Sequence, residues 1–142
     1  MSVGKAYKIS NLYRSENFKP ASFKEEVTMA KDILFLLPKA FKDPNQPDKL
    51  FYCPHCLPIE GALASFKDQL KDLDVRYAEF TRPRQNVIAL AGEDNQSLPL
   101  LILGEGRKTE HKTGDYNGHQ LVAGAKPILA ALAELYGIPV SH

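Results

Sequence analysis

Two cysteines stand in this chain, and they lie three residues apart in the stretch "FYCPHCLPIEGALASF" (51–66) as Cys53-Pro54-His55-Cys56. Three chemistries fit that spacing: a dithiol–disulfide pair, two ligands of a metal, or a core pair with no chemistry. A second thiol three residues on reaches the first across one helical turn. In the redox reading Cys53 attacks as the thiolate, and Cys56 resolves the mixed disulfide and releases the product. A sulfur at a helix N-terminus meets unpaired N–H groups and the positive end of the dipole. Such thiols titrate in a range of roughly 3.5–7.5 instead of about 8.5.

Pro54 suits a first helical position, because its missing N–H would be unpaired there anyway. His55, as imidazolium, would favour the Cys53 thiolate and make the pair more oxidising. Pro58 competes with Pro54 as the helix start, and a later start would leave the cysteines in the preceding turn. Tyr52 adjoins the nucleophile and is expected to shield it. Glu60, about one turn past Cys56, reads as a solvated helix-face carboxylate, with relay of the Cys56 proton as its alternative role. A closed zinc site needs four ligands and one CxxC supplies two. His55, His111 and His119 offer no clear second pair, so no metal is expected. His111 and His119 read as exposed loop residues, and Arg82 and Arg84, on either side of Pro83, as solvated loop arginines with anion binding as the alternative.

The elements that must position the pair follow from hydropathy patterning. "DILFLL" (32–37) is a continuous apolar run of strand length, as in a strand buried on both faces. "PKAFKDPNQPDKL" reads as a loop. Ile59, Leu63, Phe66, Leu70 and Leu73 step by four and three, one face of a helix. "VRYAEF" (75–80) alternates as a strand, and "RQNVIALAG" (84–92) reads as a short helix closed by Gly92. "SLPLLIL" (97–103) is a second buried strand. Residues 104–118, rich in glycine and charge, read as a loop or loose hairpin, and "HQLVA" (119–123) as a short strand. "AKPILAALAELYG" (125–137) has Pro in its first turn and Gly after its end, which marks a helix. The order β-α-β-α-β-β-α predicts an α/β sandwich on a mixed four-stranded sheet, with a parallel first pair and an antiparallel second half.

Strand–"YCPHC"–helix, followed by "SLP" leading a buried strand, resembles the thioredoxin-like superfamily. The resemblance implies a thioredoxin-like fold, a cis peptide before Pro99, and Leu98 and Pro99 as substrate-binding residues facing the CxxC. "CPHC" is also similar to the tetrapeptide of periplasmic disulfide-forming oxidases, whose helical insert this chain has no room for. The wording "DILFLL", "FYCPHC", "LDVR", "RPR" and "GEDNQSLPLLIL" more closely resembles an uncharacterised bacterial family of thioredoxin-like domains, over about residues 31–140. Tyr52 stands where thioredoxins carry Trp. The loop before Cys53 is longer than theirs and could fold over the site as a lid. The element that holds glutathione ahead of the last helix is not visible, and the matching place reads "VAGAK".

Composition sets the outer bounds. With 142 residues, 44% hydrophobic and 25% charged, the chain has the size and balance of one globular domain. A formal net charge of +1 gives no field for nucleic acid or an anionic membrane, and neither partner is expected. No apolar run reaches the roughly 18 residues of a membrane span. No apolar leader core is seen at the N-terminus, so a cytoplasmic location is expected. Residues 1–31 carry six Lys/Arg against three Asp/Glu, and read as an extension ahead of the 32–142 domain. Ser22 and Glu25 could form a capping box there. Tyr7, Tyr13, Phe18 and Phe23 could anchor the segment or serve a homodimer contact.

The functional expectation is a thiol–disulfide oxidoreductase without bound cofactor. Its partners would be a disulfide or thiol substrate, protein or small molecule, and a cellular reductant. A non-enzymatic binding or redox-sensing module is the alternative, and a metal-binding module a second one.

Overall fold

Ten elements make up the computed structural model, which describes residues 30–142. In chain order they are β1 (Ile33–Leu36), β2 (Phe41–Asp43), β3 (Gln46–Phe51), α1 (Leu57–Ser65), β4 (Asp74–Tyr77), α2 (Gln85–Ala91), β5 (Leu100–Ile102), β6 (Gly114–Tyr116), β7 (His119–Ala123) and α3 (Ala125–Tyr136). The N-terminal capping box and aromatic anchors lie outside the described residues.

The main sheet is mixed, with order β4-β1-β5-β7-β6. β1 pairs parallel with β4, placing Ile33 opposite Asp74 and Leu36 opposite Tyr77. Its other edge pairs antiparallel with β5, and β7 joins β5 and β6, both antiparallel. Every β1 residue is buried, as the apolar run predicts for a central strand. Alternate residues divide between two cores. Leu34, Leu36, Leu101 and Val122 pack with Ile59 of α1 and with Ile128 and Leu132 of α3. Ile33, Phe35, Leu100, Ile102 and Leu121 pack with Val87 and Ala91 of α2. The strand period of two thus puts α1 and α3 on one face and α2 on the other. Among the described residues no helix is long and apolar enough to cross a membrane.

Three expectations are corrected. The sheet has five strands rather than four, because Gly114–Tyr116 forms an edge strand inside the glycine-rich stretch. Asn117 (φ 52°) and Gly118 (φ 85°) make the turn to β7, and consecutive positive φ values are what a tight primed hairpin turn requires. The stretch before the cysteines is a separate two-stranded ribbon, β2–β3, instead of an unstructured loop. Its turn is set by Asp43, whose Oδ1 accepts the Asn45 N–H at 2.9 Å. Phe41 stacks on Phe80 with ring centroids 4.9 Å apart and so ties the ribbon to the segment after β4. Finally, α1 ends at Ser65, and residues 66–72 continue as turns. Leu70 and Leu73 are still buried, so the apolar stripe reports core contact although the α-helix has stopped.

A buried carboxylate fastens the end of the domain away from the cysteine sequence. Asp32 accepts the Gly104 N–H (2.7 Å), the Arg107 Nε–H (2.9 Å) and the Tyr136 hydroxyl (2.5 Å). These bonds join the start of β1, the segment after β5 and the last residue of α3.

Candidate functional site

The α1 helix begins at Leu57, and Cys56 is its N-cap. Pro58, not Pro54, therefore occupies the first helical turn, and Cys53 to Cys56 form a turn running into the helix. The Cys53 carbonyl accepts the N–H groups of Cys56 (3.2 Å) and Leu57 (3.1 Å). The sulfur of Cys53 accepts the same Cys56 N–H at 3.1 Å. A donor at the helix entry is thus aimed at Cys53 Sγ, the interaction that a thiolate strengthens. Both thiols are free. They are 7% and 3% exposed and pack into the core cluster shared by α1 and α3.

The thiols open on a cleft of about 150 Å³ whose walls include Leu37, Pro38, Tyr52, Leu57 and Glu60. Burial pushes the Cys56 thiol up to about 12, with its hydrogen bond to Cys53 as the next cause. Cys56 is therefore protonated at neutral pH. Glu60 is half-buried at the same cleft, which corrects its reading as a solvated residue. Its Oε2 accepts the Tyr77 hydroxyl at 3.0 Å. Burial, then the Glu60 bond, pushes the Tyr77 phenol up to about 12. The Glu60 N–H donates to the Cys56 carbonyl at 2.9 Å, so the two side chains lie one turn apart on neighbouring helix positions.

The remaining expected residues are placed as follows. Tyr52 lines the cleft but is 60% exposed, so it flanks the pair and does not bury it. Pro54 and His55 face solvent. The Leu98–Pro99 peptide is cis, the geometry implied by the thioredoxin-like resemblance. Pro99 is buried, and Leu98 packs against the core cluster that holds both cysteines.

Arg84 and His119 are corrected. Arg84 is buried and donates to three main-chain carbonyls: Glu79 (2.7 Å), Gln96 (2.6 Å) and Phe80 (2.5 Å). The turned segments on either side of α2 leave main-chain carbonyls that need donors, and the guanidinium fork supplies them. Arg82 is exposed, as expected of a loop arginine, and donates to Ser97 Oγ at 3.3 Å. Arg82–Pro83 is a second cis peptide, which the resemblance does not imply. His119 is buried in β7 with Nδ1 2.8 Å from the Leu103 carbonyl. Among the described residues, Glu110, His111 and Glu134 form a group of three metal-competent side chains, and it includes neither cysteine.

No curated protein and no solved structure matches the chain. A family model does match, over residues 31–140, and the family is described as a protein of unknown function (DUF3088). Its span is nearly the whole of the described chain and includes the cysteine turn, the cleft and both cis peptides. The protein is a member of this family.

Proposed function

We propose that this protein is a thiol–disulfide oxidoreductase of thioredoxin-like architecture, with Cys53 and Cys56 as its redox pair. The observation that carries the reading is the asymmetry of the pair. Cys53 Sγ receives an N–H from the helix entry, while Cys56 is buried and held as the thiol.

The Cys53 thiolate attacks one sulfur of a substrate disulfide. A Cys53–substrate disulfide forms, the substrate S–S bond breaks, and the first thiolate leaves. Cys56 then gives up its proton and attacks Cys53 Sγ. The Cys53–Cys56 disulfide forms, and the second substrate thiolate leaves. The substrate has gained two electrons and the protein has lost two. An external thiol returns the pair to the dithiol. Glu60 takes the Cys56 proton, directly or through one water, and Tyr77 holds its carboxylate at the cleft. Leu98 and Pro99 present the main chain to the substrate, the role that the resemblance assigns, and His55 and Tyr52 tune and flank the site. A reduced dithiol fits the cytoplasm, where thiols are kept reduced.

A redox titration with thiol trapping tests this, using Cys53→Ser and Cys56→Ser as controls. A reversible two-electron midpoint between about −270 and −120 mV is expected, the range of exchange enzymes. A pair that never oxidises, or that resists reduction below about −300 mV, overturns the reading. The non-enzymatic alternative draws on the exposed Leu50, Tyr52 and Leu57 near the cysteine turn, which suit a partner surface. Oxidation without turnover would favour it.

A further inference from the structure

A second and larger groove lies between the β2–β3 turn and the segment after β4. Its volume is about 440 Å³, within the size of small-molecule sites, roughly 300–1,000 Å³. Its walls include Asp43, Pro44, Asn45, Phe80, Arg82 and Arg84. Two of these carry guanidinium groups, and among the described residues no carboxylate pairs with either. They are close enough for the charge of Arg82 to hold the Arg84 guanidinium below its usual range, after burial as the larger cause. Asp43 supplies one opposing charge, but its Oδ1 is already engaged by the Asn45 N–H. The three charged walls leave the groove net positive.

Arg84 is more than nine-tenths buried, and three of its five N–H donors are taken by carbonyls. Among the described residues the other two have no acceptor. A buried donor left unpaired is costly, and a charged acceptor would complete it. The groove also adjoins the proposed chemistry. Phe80, one of its walls, packs against the core cluster that holds Cys53 and Cys56. Arg84 and Arg82 bond Gln96 and Ser97, the residues leading into Leu98 and Pro99.

We propose, resting on the redox reading above, that this groove binds the carboxylate of a small disulfide substrate, with Arg82 and Arg84 as its donors. The bound carboxylate positions the disulfide so that one sulfur meets Cys53. Oxidation of the Cys53–Cys56 dithiol then yields two carboxylate-bearing thiols, by the two displacements already described. The β2–β3 ribbon, braced by Phe41 on Phe80, forms the outer wall and selects ligands thin enough to enter beside it.

Three small disulfides that differ in charge test the proposal: dithiodipropionate (dianionic), hydroxyethyl disulfide (neutral) and cystamine (dicationic). Each is mixed with the reduced protein, and the rate of Cys53 oxidation is followed by mass spectrometry. The dianion is expected to react about tenfold or more faster than the dication, as for one charge-assisted contact in a half-buried groove. In Arg82→Gln, with folding checked by thermal melting, that ratio is expected to fall toward one. A separate measurement uses Cys53→Ser protein, which cannot form the mixed disulfide at that position. Suberate, the carbon isostere of dithiodipropionate, is expected to shift the Arg82 and Arg84 side-chain NMR resonances, and suberamide is not. Equal rates for the three disulfides, a ratio unchanged in Arg82→Gln, or no suberate shift overturns the proposal. If suberate binds but no disulfide reacts, the redox reading falls and the carboxylate site stands.

Discussion

The two thiols, identical in sequence chemistry, should differ sharply in reactivity, and the difference can be worked from their surroundings. Burial moves the Cys56 thiol from 9.0 up to about 12. At pH 7 the thiolate fraction then drops about a thousandfold, from roughly one in 10² to one in 10⁵. A more basic thiolate is a better nucleophile. Over three units, a Brønsted slope of 0.4–0.5 returns roughly 16–30-fold. The net expectation is that Cys56 alkylates about 30–60-fold more slowly than an unshifted thiol, before its 3% exposure slows it further. The assay is a time course with iodoacetamide on the reduced protein, read by peptide mapping, with guanidinium-unfolded protein as control. Cys53 labels first, and the Cys56 rate keeps climbing about tenfold per pH unit beyond pH 9. A Cys56 rate that levels near pH 9, or that matches Cys53 at pH 7, would refute the reasoning.

The same residue makes alkaline stability measurable. Between pH 9.0 and about 12 the folded state holds a proton on Cys56 that the unfolded state releases. Stability from this group is complete below pH 9 and falls as pH rises, by up to about 1.4 kcal/mol per unit. Cys56→Ala should show a shallower alkaline decline in urea melts, and parallel curves would contradict the assignment. Replacing Glu60 separates two roles by sign. As the proton acceptor its loss in Glu60→Gln lengthens the mixed-disulfide lifetime about 10²-fold or more in quenched single turnovers. As a mere negative neighbour, which raises the Cys56 pKa, its loss would shorten that lifetime. Asp32→Ala strands the Arg107, Tyr136 and Gly104 donors and should cost about 3 kcal/mol in urea unfolding. A loss below about 1 kcal/mol would mean that the network is replaced by solvent.

Much of this architecture is legible in the chain. The apolar run 32–37 names the central strand because a strand covered on both faces has no polar side to show. The Pro and Gly around 125–137 bracket α3 because each acts through the local backbone. The edge strand β6 was missed, although Asn117-Gly118 marks its turn locally, with positive φ at both residues. The β2–β3 ribbon was not legible. Its residues are polar and largely exposed, Pro44 and Pro47 argue against a strand, and the pairing is secured by Phe41 meeting Phe80 across the fold. The stripe Ile59 to Leu73 misled about α1, because burial of a periodic face continues through the turns after Ser65.

At the site the division is similar. The chain alone brings Cys53 and Cys56 together, because three residues of spacing and one turn leave them no other distance. It also marks Pro99 as the residue ahead of a buried strand. The N–H on Cys53 Sγ is also local, whereas tertiary packing decides the burial that holds Cys56 as the thiol. Only the fold sets Glu60 under Tyr77, 17 residues away. Only the fold buries Arg84 among carbonyls drawn from both sides of α2, where the sequence shows an ordinary loop arginine. Burial and long-range hydrogen bonding depend on what other segments bring into contact. Local spacing carries the geometry of the cysteine pair, and the protein interior carries its electrostatics.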